Sequence, residues 1–360
     1  MTAQPTDERL RDDPEVIIPN LNWRYSGVTA TNRAVAPLLA GACRVAWLGP
    51  HRPDGVAALG LLDLLRLRFR PPARGKRIWH ARRNVEMIVG VILRWLGFRL
   101  GLVFTSAAQR HHTWITRFLM ARQDAVIAAS AAAASYLKRP PTRIIHHGVD
   151  TEFYAPPANR ERAFAATGLP GKYGIGVFGR VRAQKGTDVF VAAMCRLLPR
   201  YPDFTAVVIG RITVEHRAFA EKLLADAAAA GLADRVRFLG ELPIEEVPRW
   251  YQRVSIYAFT SREEGFGLTL LEAMASGAAL VAARAGAAAT IVRDGDTGVL
   301  VPPGDIDALA AALEPLMRDP ERAAAMGARS RSRAVAEFSL THEADEIADV
   351  YRDVWAAKRV

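Results

Sequence analysis

The sequence predicts an α/β protein made of two successive similar halves, each a parallel sheet wrapped by helices. Three observations predict it. Short apolar runs of β-type alternate with longer Ala- and Leu-rich helical patterns along the whole chain, the signature of repeated βα units. The alternation breaks once, at Val149–Arg160, where two prolines and polar residues read as a linker. The chain has 360 residues, half of them apolar, enough for two domains with sizeable cores.

Taken in order, the strand candidates of the first half are Val16–Pro19, Arg44–Leu48, Arg77–His80, Leu102–Thr105, Ala125–Ala128 and Arg143–His146, with helices such as Asn84–Leu96 and Thr113–Arg122 between them. The second series runs Gly174–Phe178, Ala206–Ile209, Val236–Leu239, Ser255–Phe259, Ala279–Ala282 and Gly298–Val301. Ile306–Met317, Arg322–Ala336 and Glu343–Ala356 close the chain as helices. The expected domains are 1–155, 156–340 and a terminal helical segment 341–360.

The formal charge is +11, and all of the excess precedes residue 156, where 22 Lys and Arg face 11 Asp and Glu. Between Arg66 and Arg99 there are ten basic residues and one acid, Glu86. Such a block suggests a nucleic acid, a membrane surface or a phosphorylated substrate, though a solvated basic face also explains it. No helix-turn-helix, zinc-finger or RNA-recognition pattern accompanies the charge, so nucleic acid is not expected as a partner. Cys43 and Cys195 match no metal spacing and imply no disulfide framework; core thiols in a reducing compartment are expected. The N-terminal stretch is polar and acidic rather than leader-like. Apolar runs such as Met87–Leu93 are too short to span a bilayer. A cytoplasmic protein is therefore expected, with any membrane contact peripheral.

The chemistry is concentrated in the second half. The strand Gly174–Phe178 leads into Gly179, Arg180, Val181, Arg182, Ala183, Gln184, Lys185 and Gly186, and then into a helix starting near Thr187. A glycine turn with Arg180 and Lys185 before a helix N-terminus suits a diphosphate, because cations neutralise its oxygens and helix starts favour anions. It is not a P-loop. After the strand Ser255–Phe259 come Glu264, Gly265, Phe266, Gly267, Leu268, Thr269 and, eight positions beyond the first carboxylate, Glu272. This is the carboxyl end of a strand, where open α/β sheets bind ligands. A carboxylate at Glu272 accepts sugar hydroxyls, and Gly265 and Gly267 leave backbone N–H groups accessible. Either Glu alone reads as a helix cap; the combination reads as a site.

These residues resemble the donor domain of the retaining GT-B glycosyltransferases grouped as family four, over about residues 170–305. His147–Asp150, Gly210–Arg211, Gly277 and Gly295–Asp305 extend the likeness. The resemblance implies two Rossmann-like domains facing a central cleft, with the acceptor on the N-terminal domain and the C-terminal helix returning to it. It implies that Arg180 and Lys185 contact the nucleotide diphosphate, that Glu264 lies by the donor sugar and that Glu272 binds the ribose. It places backbone of Gly265–Thr269, including Phe266, Gly267 and Leu268, near sugar and phosphates, and Gly27 in a loop facing the phosphates. Arg180, Lys185 and Glu264 are the expected catalytic residues. No donor-site metal or cofactor is implied. The family often carries a His two positions beyond Thr105, where this chain has Ala107, and Gln109, Arg110 or His111 are the candidates for that space.

Ser26–Thr29, Ile78–Glu86 and Thr105–His111 are similar to a narrower group, bacterial mannosyltransferases that move mannose from GDP-mannose to the Kdo region of lipid A precursors. This likeness implies an anionic glycolipid acceptor at the inner membrane face, with Arg82, Arg83, Gln109, Arg110 and His111 as acceptor contacts and Arg66–Arg77 resting on the membrane. The alternatives are a UDP-sugar donor with another acceptor, and a nucleotide-sugar epimerase.

Overall fold

The computed structural model describes residues 13–357. The polar N-terminal stretch lies largely outside them. The chain divides into two compact units: the residues up to Gly148 together with those from Leu340 onward, and Val149–Ser339.

The first unit is a seven-stranded parallel sheet of β1 (Val16–Pro19), β2 (Val45–Leu48), β3 (Ala57–Ala58), β4 (Arg77–Ala81), β5 (Leu100–Ser106), β6 (Ala125–Ala128) and β7 (Arg143–Ile144). Their order is β3-β2-β1-β4-β5-β6-β7. Strand alternation divides the apolar residues between two covered faces, as parallel sheets require. Val16, Ile18, Trp47, Ile78 and Val103 pack on one face against Val35 and Leu39, and against Ile347, Val350, Tyr351 and Val354 of the C-terminal helix. Ile17, Leu48, Trp79, Leu102 and Phe104 pack on the other against Met87 and Val91. The helix Leu340–Ala356 is thus part of the first core, because its apolar stripe repeats at helical spacing.

The second unit is a six-stranded parallel sheet of β8 (Tyr173–Phe178), β9 (Phe204–Ile209), β10 (Val236–Gly240), β11 (Val254–Phe259), β12 (Ala279–Ala283) and β13 (Val299–Val301), ordered β10-β9-β8-β11-β12-β13. The chain leaves β8 toward β9 on one side, and β11 flanks β8 on the other. The β8/β11 junction is therefore the topological switch point, where the loops beyond both strands part and leave a crevice. Its core includes Ile175, Phe190, Met194, Val208, Ile256 and Leu313.

The expected strands are all present to within a few residues, but the boundaries require correction. Val149–Arg160 is not a linker, and the first unit ends at Gly148 rather than 155. Val149 forms a parallel bridge with Ser339, and the guanidinium of Arg160 donates to the carbonyls of Tyr251, Gln252, Val254 and Ser276, tying the segment into the second unit. The terminal helix begins at Leu340.

The basic block is also less free than its composition suggests. Arg77 is buried and donates to both oxygens of Asp13 at 2.6 and 2.8 Å. Arg66, Arg74, Arg82, Arg83 and Arg94 pair with Asp63, Glu15, Glu343, Glu86 and Asp124. Much of that charge therefore stabilises the fold. Cys43 and Cys195 are free and half-buried.

Candidate active site

The site in the second unit forms where the loops after β8 and β11 meet. The first loop turns at Gly179, makes a short helical turn at Ala183–Lys185, and passes through Gly186 into the helix Thr187–Leu197. Gly186 has φ 67°, and a Cβ there would lie 1.9 Å from the Thr260 carbonyl oxygen. Glycine is required on both counts. Gly210 likewise lets β9 end against Gly179, whose carbonyl oxygen would be 1.8 Å from a Cβ.

The second loop is stitched to the first. Thr260 Oγ1 donates to the Lys185 carbonyl at 2.9 Å, and Arg262 N–H to the Gln184 carbonyl at 2.9 Å. The Arg262 guanidinium clamps the Asp188 carboxylate with two bonds of 2.8 Å. This bidentate pair fixes the register of the loops. Across them the Lys185 ammonium pairs directly with Glu264, whose side chain also accepts from Ser261 at 3.4 Å. The two residues that sequence spacing named are thus brought together over 79 positions.

Gly265 N–H donates to Glu264 Oε1 at 3.1 Å. This corrects the expectation that its N–H stands open: the donor orients the carboxylate instead. Gly267, with φ 110°, opens the helix Leu268–Ala275 that carries Thr269 and Glu272. Phe266 is buried, and its carbonyl accepts from Ala287 N–H. Glu272 Oε2 accepts from the Tyr251 hydroxyl at 2.7 Å. Burial pushes the Glu272 carboxyl up, with hydrogen bonds from Tyr251 and Tyr154 opposing it. The Tyr154 phenol is driven up in turn, by burial and then by Glu272. A carboxylate has about four acceptor positions, so two tyrosines leave capacity for vicinal hydroxyls.

Sequence reasoning missed Arg182. Arg180 is exposed, Arg182 is half-buried, and the Arg182 Nε is enclosed without a hydrogen-bond partner. Burial lowers its pKa, repulsion from Arg180 adds to this, and Glu264 opposes it. Arg182 and Lys185 thus lie by one carboxylate, with Arg180 beside Arg182, which leaves a surplus of positive charge in the loop.

In the first unit, a cavity of about 600 Å³ lies beyond the carboxyl ends of β4 and β5. Arg82, Asn84, Ser106, Arg110, His111 and His147 are among its lining residues. Ala107 lines it too, with His111 and His112 following from the next turn. Arg82 is 8% exposed. Its guanidinium lies 3.6 Å from Glu343 and donates to Thr31 Oγ1 at 3.3 Å, while its Nε has no partner. Burial pushes the Glu343 carboxyl up, but His147, Arg82 and Gly148 N–H outweigh it and hold it below its ordinary value. His80 bridges Tyr351 at 2.6 Å and Thr105 at 2.8 Å, and burial beside Arg82 lowers its pKa strongly, so it is neutral.

The other expected contacts divide. Arg83 does not line this cavity: it donates to Asn20, Ser26, Thr29 and Glu86, bracing the loop before the first helix. Gln109 is half-buried and also outside the lining. Gly27 opens the helix Gly27–Ala42, capped by Ser26.

The family model described as glycosyl transferases group 1 matches residues 159–333. The lipopolysaccharide core biosynthesis mannosyltransferase LpcC of Rhizobium leguminosarum bv. viciae is 49% identical over 350 residues, covering 96% of this chain and 98% of that protein. The corresponding enzyme LpsB of Rhizobium meliloti (strain 1021) is 44% identical, covering 95% and 98%. Among solved structures, Alr3699/HepE of Anabaena in complex with UDP matches with a TM-score of 0.80 at 21% identity, over 94% of this chain and all of that one. That likeness carries the fold, two parallel-sheet Rossmann-like domains of the GT-B kind.

Proposed function

Because the chain belongs to the group 1 glycosyl transferases, we propose that it moves mannose from GDP-mannose, with retained configuration, onto the Kdo–lipid A inner core of lipopolysaccharide. The observation that carries the reaction class is the set of three cations, Arg180, Arg182 and Lys185, in the loop at the β8/β11 switch point, with Arg182 and Lys185 by Glu264. The relatives named above support mannose and the lipopolysaccharide core.

As the bond from mannose C1 to the diphosphate breaks, negative charge grows on the leaving oxygen and positive charge on the sugar ring. Arg180, Arg182 and Lys185 meet the first charge, so no metal is called on. Glu264 is held by Lys185, Ser261 and Gly265 N–H and faces the second. Glu272, set by Tyr251, takes the ribose hydroxyls. The acceptor hydroxyl attacks C1 from the leaving-group side and passes its proton to the departing diphosphate. The products are the mannoside and GDP.

In the first unit, Arg82 offers its positive charge to an acceptor carboxylate in the cavity it lines, with Arg110 and His111 also in the lining. No helix among the described residues is long and apolar enough to cross a membrane. Instead, Phe69, Trp95 and Trp114 are 81%, 72% and 70% exposed, and the Arg68 guanidinium carbon lies 5.6 Å from the Phe69 ring centroid. Exposed aromatics interleaved with arginines suit the interface of an anionic bilayer, where the acceptor resides.

The test incubates the purified chain with GDP-mannose and Kdo–lipid A, with UDP-glucose and UDP-galactose in parallel, and determines the anomeric configuration of the product. Transfer from GDP-mannose alone among these donors is expected. Turnover of donor without acceptor favours an epimerase, and absence of transfer to any lipid acceptor rejects the reading.

A further inference from the structure

The first unit contains a second cavity, of about 330 Å³, that the proposed transfer does not use. His112 is among the lining residues of both cavities, so they adjoin at that residue. Three cations line the second: Arg117 on the helix Trp114–Met120, and Lys138 and Arg139 in the segment between Ala131–Ser135 and β7. None has an ion-pair partner among the described residues. The one acid in the lining, Asp124, is already committed, since its Oδ2 accepts from Arg94 at 3.0 Å and from Leu102 N–H at 2.7 Å. Met120 and Leu137 supply apolar wall. Of these cations Arg117 acts on His112, whose imidazole is lowered by burial first and then by Arg110, Arg117 and His111.

Like charges gathered on one concavity repel one another and add nothing to the fold, whereas a phosphate accepts charge-assisted hydrogen bonds from all three. The helix that brings Arg117 to the cavity also leaves Trp114, Ile115 and Phe118 exposed. A cationic hollow with an apolar margin suits a phosphate carried on a lipid rather than a free nucleotide.

We propose that this cavity binds a phosphate group of the acceptor glycolipid while its sugar acid occupies the adjoining Arg82 cavity. The proposal rests on the acceptor class put forward above. It explains why the two cavities share His112 and why this cluster of cations, unlike most of the Arg66–Arg99 block, is left unpaired.

The test compares the full chain with the triple variant Arg117→Gln, Lys138→Gln, Arg139→Gln and with the single exposed-site variant Lys138→Gln. Calorimetry with octyl phosphate, against octyl glucoside as control, should show binding at least tenfold weaker in the triple variant and a smaller loss in the single one. Transfer assays with Kdo–lipid A before and after phosphatase treatment should show the wild-type KM rising about tenfold on dephosphorylation and the triple variant's KM unchanged. Binding to phosphatidylglycerol vesicles should be the same for wild type and variants. If the triple variant loses vesicle binding while its KM for Kdo–lipid A stays at the wild-type value, the phosphate is a bilayer headgroup and the acceptor assignment is overturned. Equal octyl phosphate affinity in all proteins overturns the cavity altogether. Absence of transfer by the wild type, with octyl phosphate binding still dependent on the cations, would fault the proposed reaction and the acceptor assignment but not the phosphate site.

Discussion

Glu343 accepts a hydrogen bond from the His147 imidazole at 3.0 Å across 196 positions of sequence, and the same carboxylate takes Gly148 N–H at 2.7 Å and faces the Arg82 guanidinium. Removing one partner from a buried, charged cluster strands the others. Glu343→Ala should therefore cost about 3 kcal/mol of stability, read from urea unfolding. The pH dependence has a fixed sign. Because folding lowers the Glu343 pKa, its contribution is complete above the ordinary glutamate value and is lost as pH falls through the lower, folded value. The wild type should lose stability in that acid window more steeply than the variant. Parallel curves would exclude Glu343 as the source.

At the donor loops, Lys185→Ala should lower kcat by about 10²–10³, with the far-UV spectrum unchanged. Arg182→Gln should act more weakly, because Arg180 and Lys185 still flank the diphosphate. A roughly tenfold loss of GDP affinity is expected by calorimetry without acceptor. Wild-type affinity would place the Arg182 side chain outside the donor site.

Tyr251 acts through Glu272. Tyr251→Phe removes the hydroxyl 2.7 Å from the carboxylate while keeping the buried ring. KM for GDP-mannose should rise about fivefold with little change in kcat. The distinguishing readout is the ribose: 2′-deoxy-GDP should bind wild type and variant alike. A purely structural role would weaken both nucleotides equally.

The exposed aromatics give a prediction independent of chemistry. The double variant Trp95→Ser, Trp114→Ser should lose most of its co-flotation with anionic vesicles while retaining GDP affinity, since neither residue lies in the second unit. Unchanged flotation would remove this face from the membrane reading.

What the sequence discloses depends on how locally each feature is determined. Val16–Pro19 ends where its apolar run ends, and Ala125–Ala128 one residue short of it, because burial on both faces leaves little alternative. Ala57–Ala58 is invisible by pattern, since two alanines become a strand only by pairing with Ala46 and Trp47. Lys185 and Glu264 are legible as members of a site, but their pairing is tertiary. Arg182 hides between two cations whose spacing already satisfies the motif. Glu343 reads as the polar side of an amphipathic helix and is buried only because Arg82 and His147 arrive from elsewhere. Arg77 likewise adds to a charge count from which Asp13 removes it.

The inclusion of Leu340–Ala356 in the first core fixes an order of assembly. During synthesis, the second unit is complete once Ser339 has been added, and all its strands come from one continuous stretch. The first unit, although it starts earlier, has the face of Ile18, Trp47 and Val103 covered only in part, by Val35 and Leu39, until Ile347, Tyr351 and Val354 are made. Against the usual N-terminal-first sequence, the half of the molecule translated first is the half that finishes folding last. A nascent chain stalled at residue 339 would hold a finished second unit and an apolar face open to chaperones.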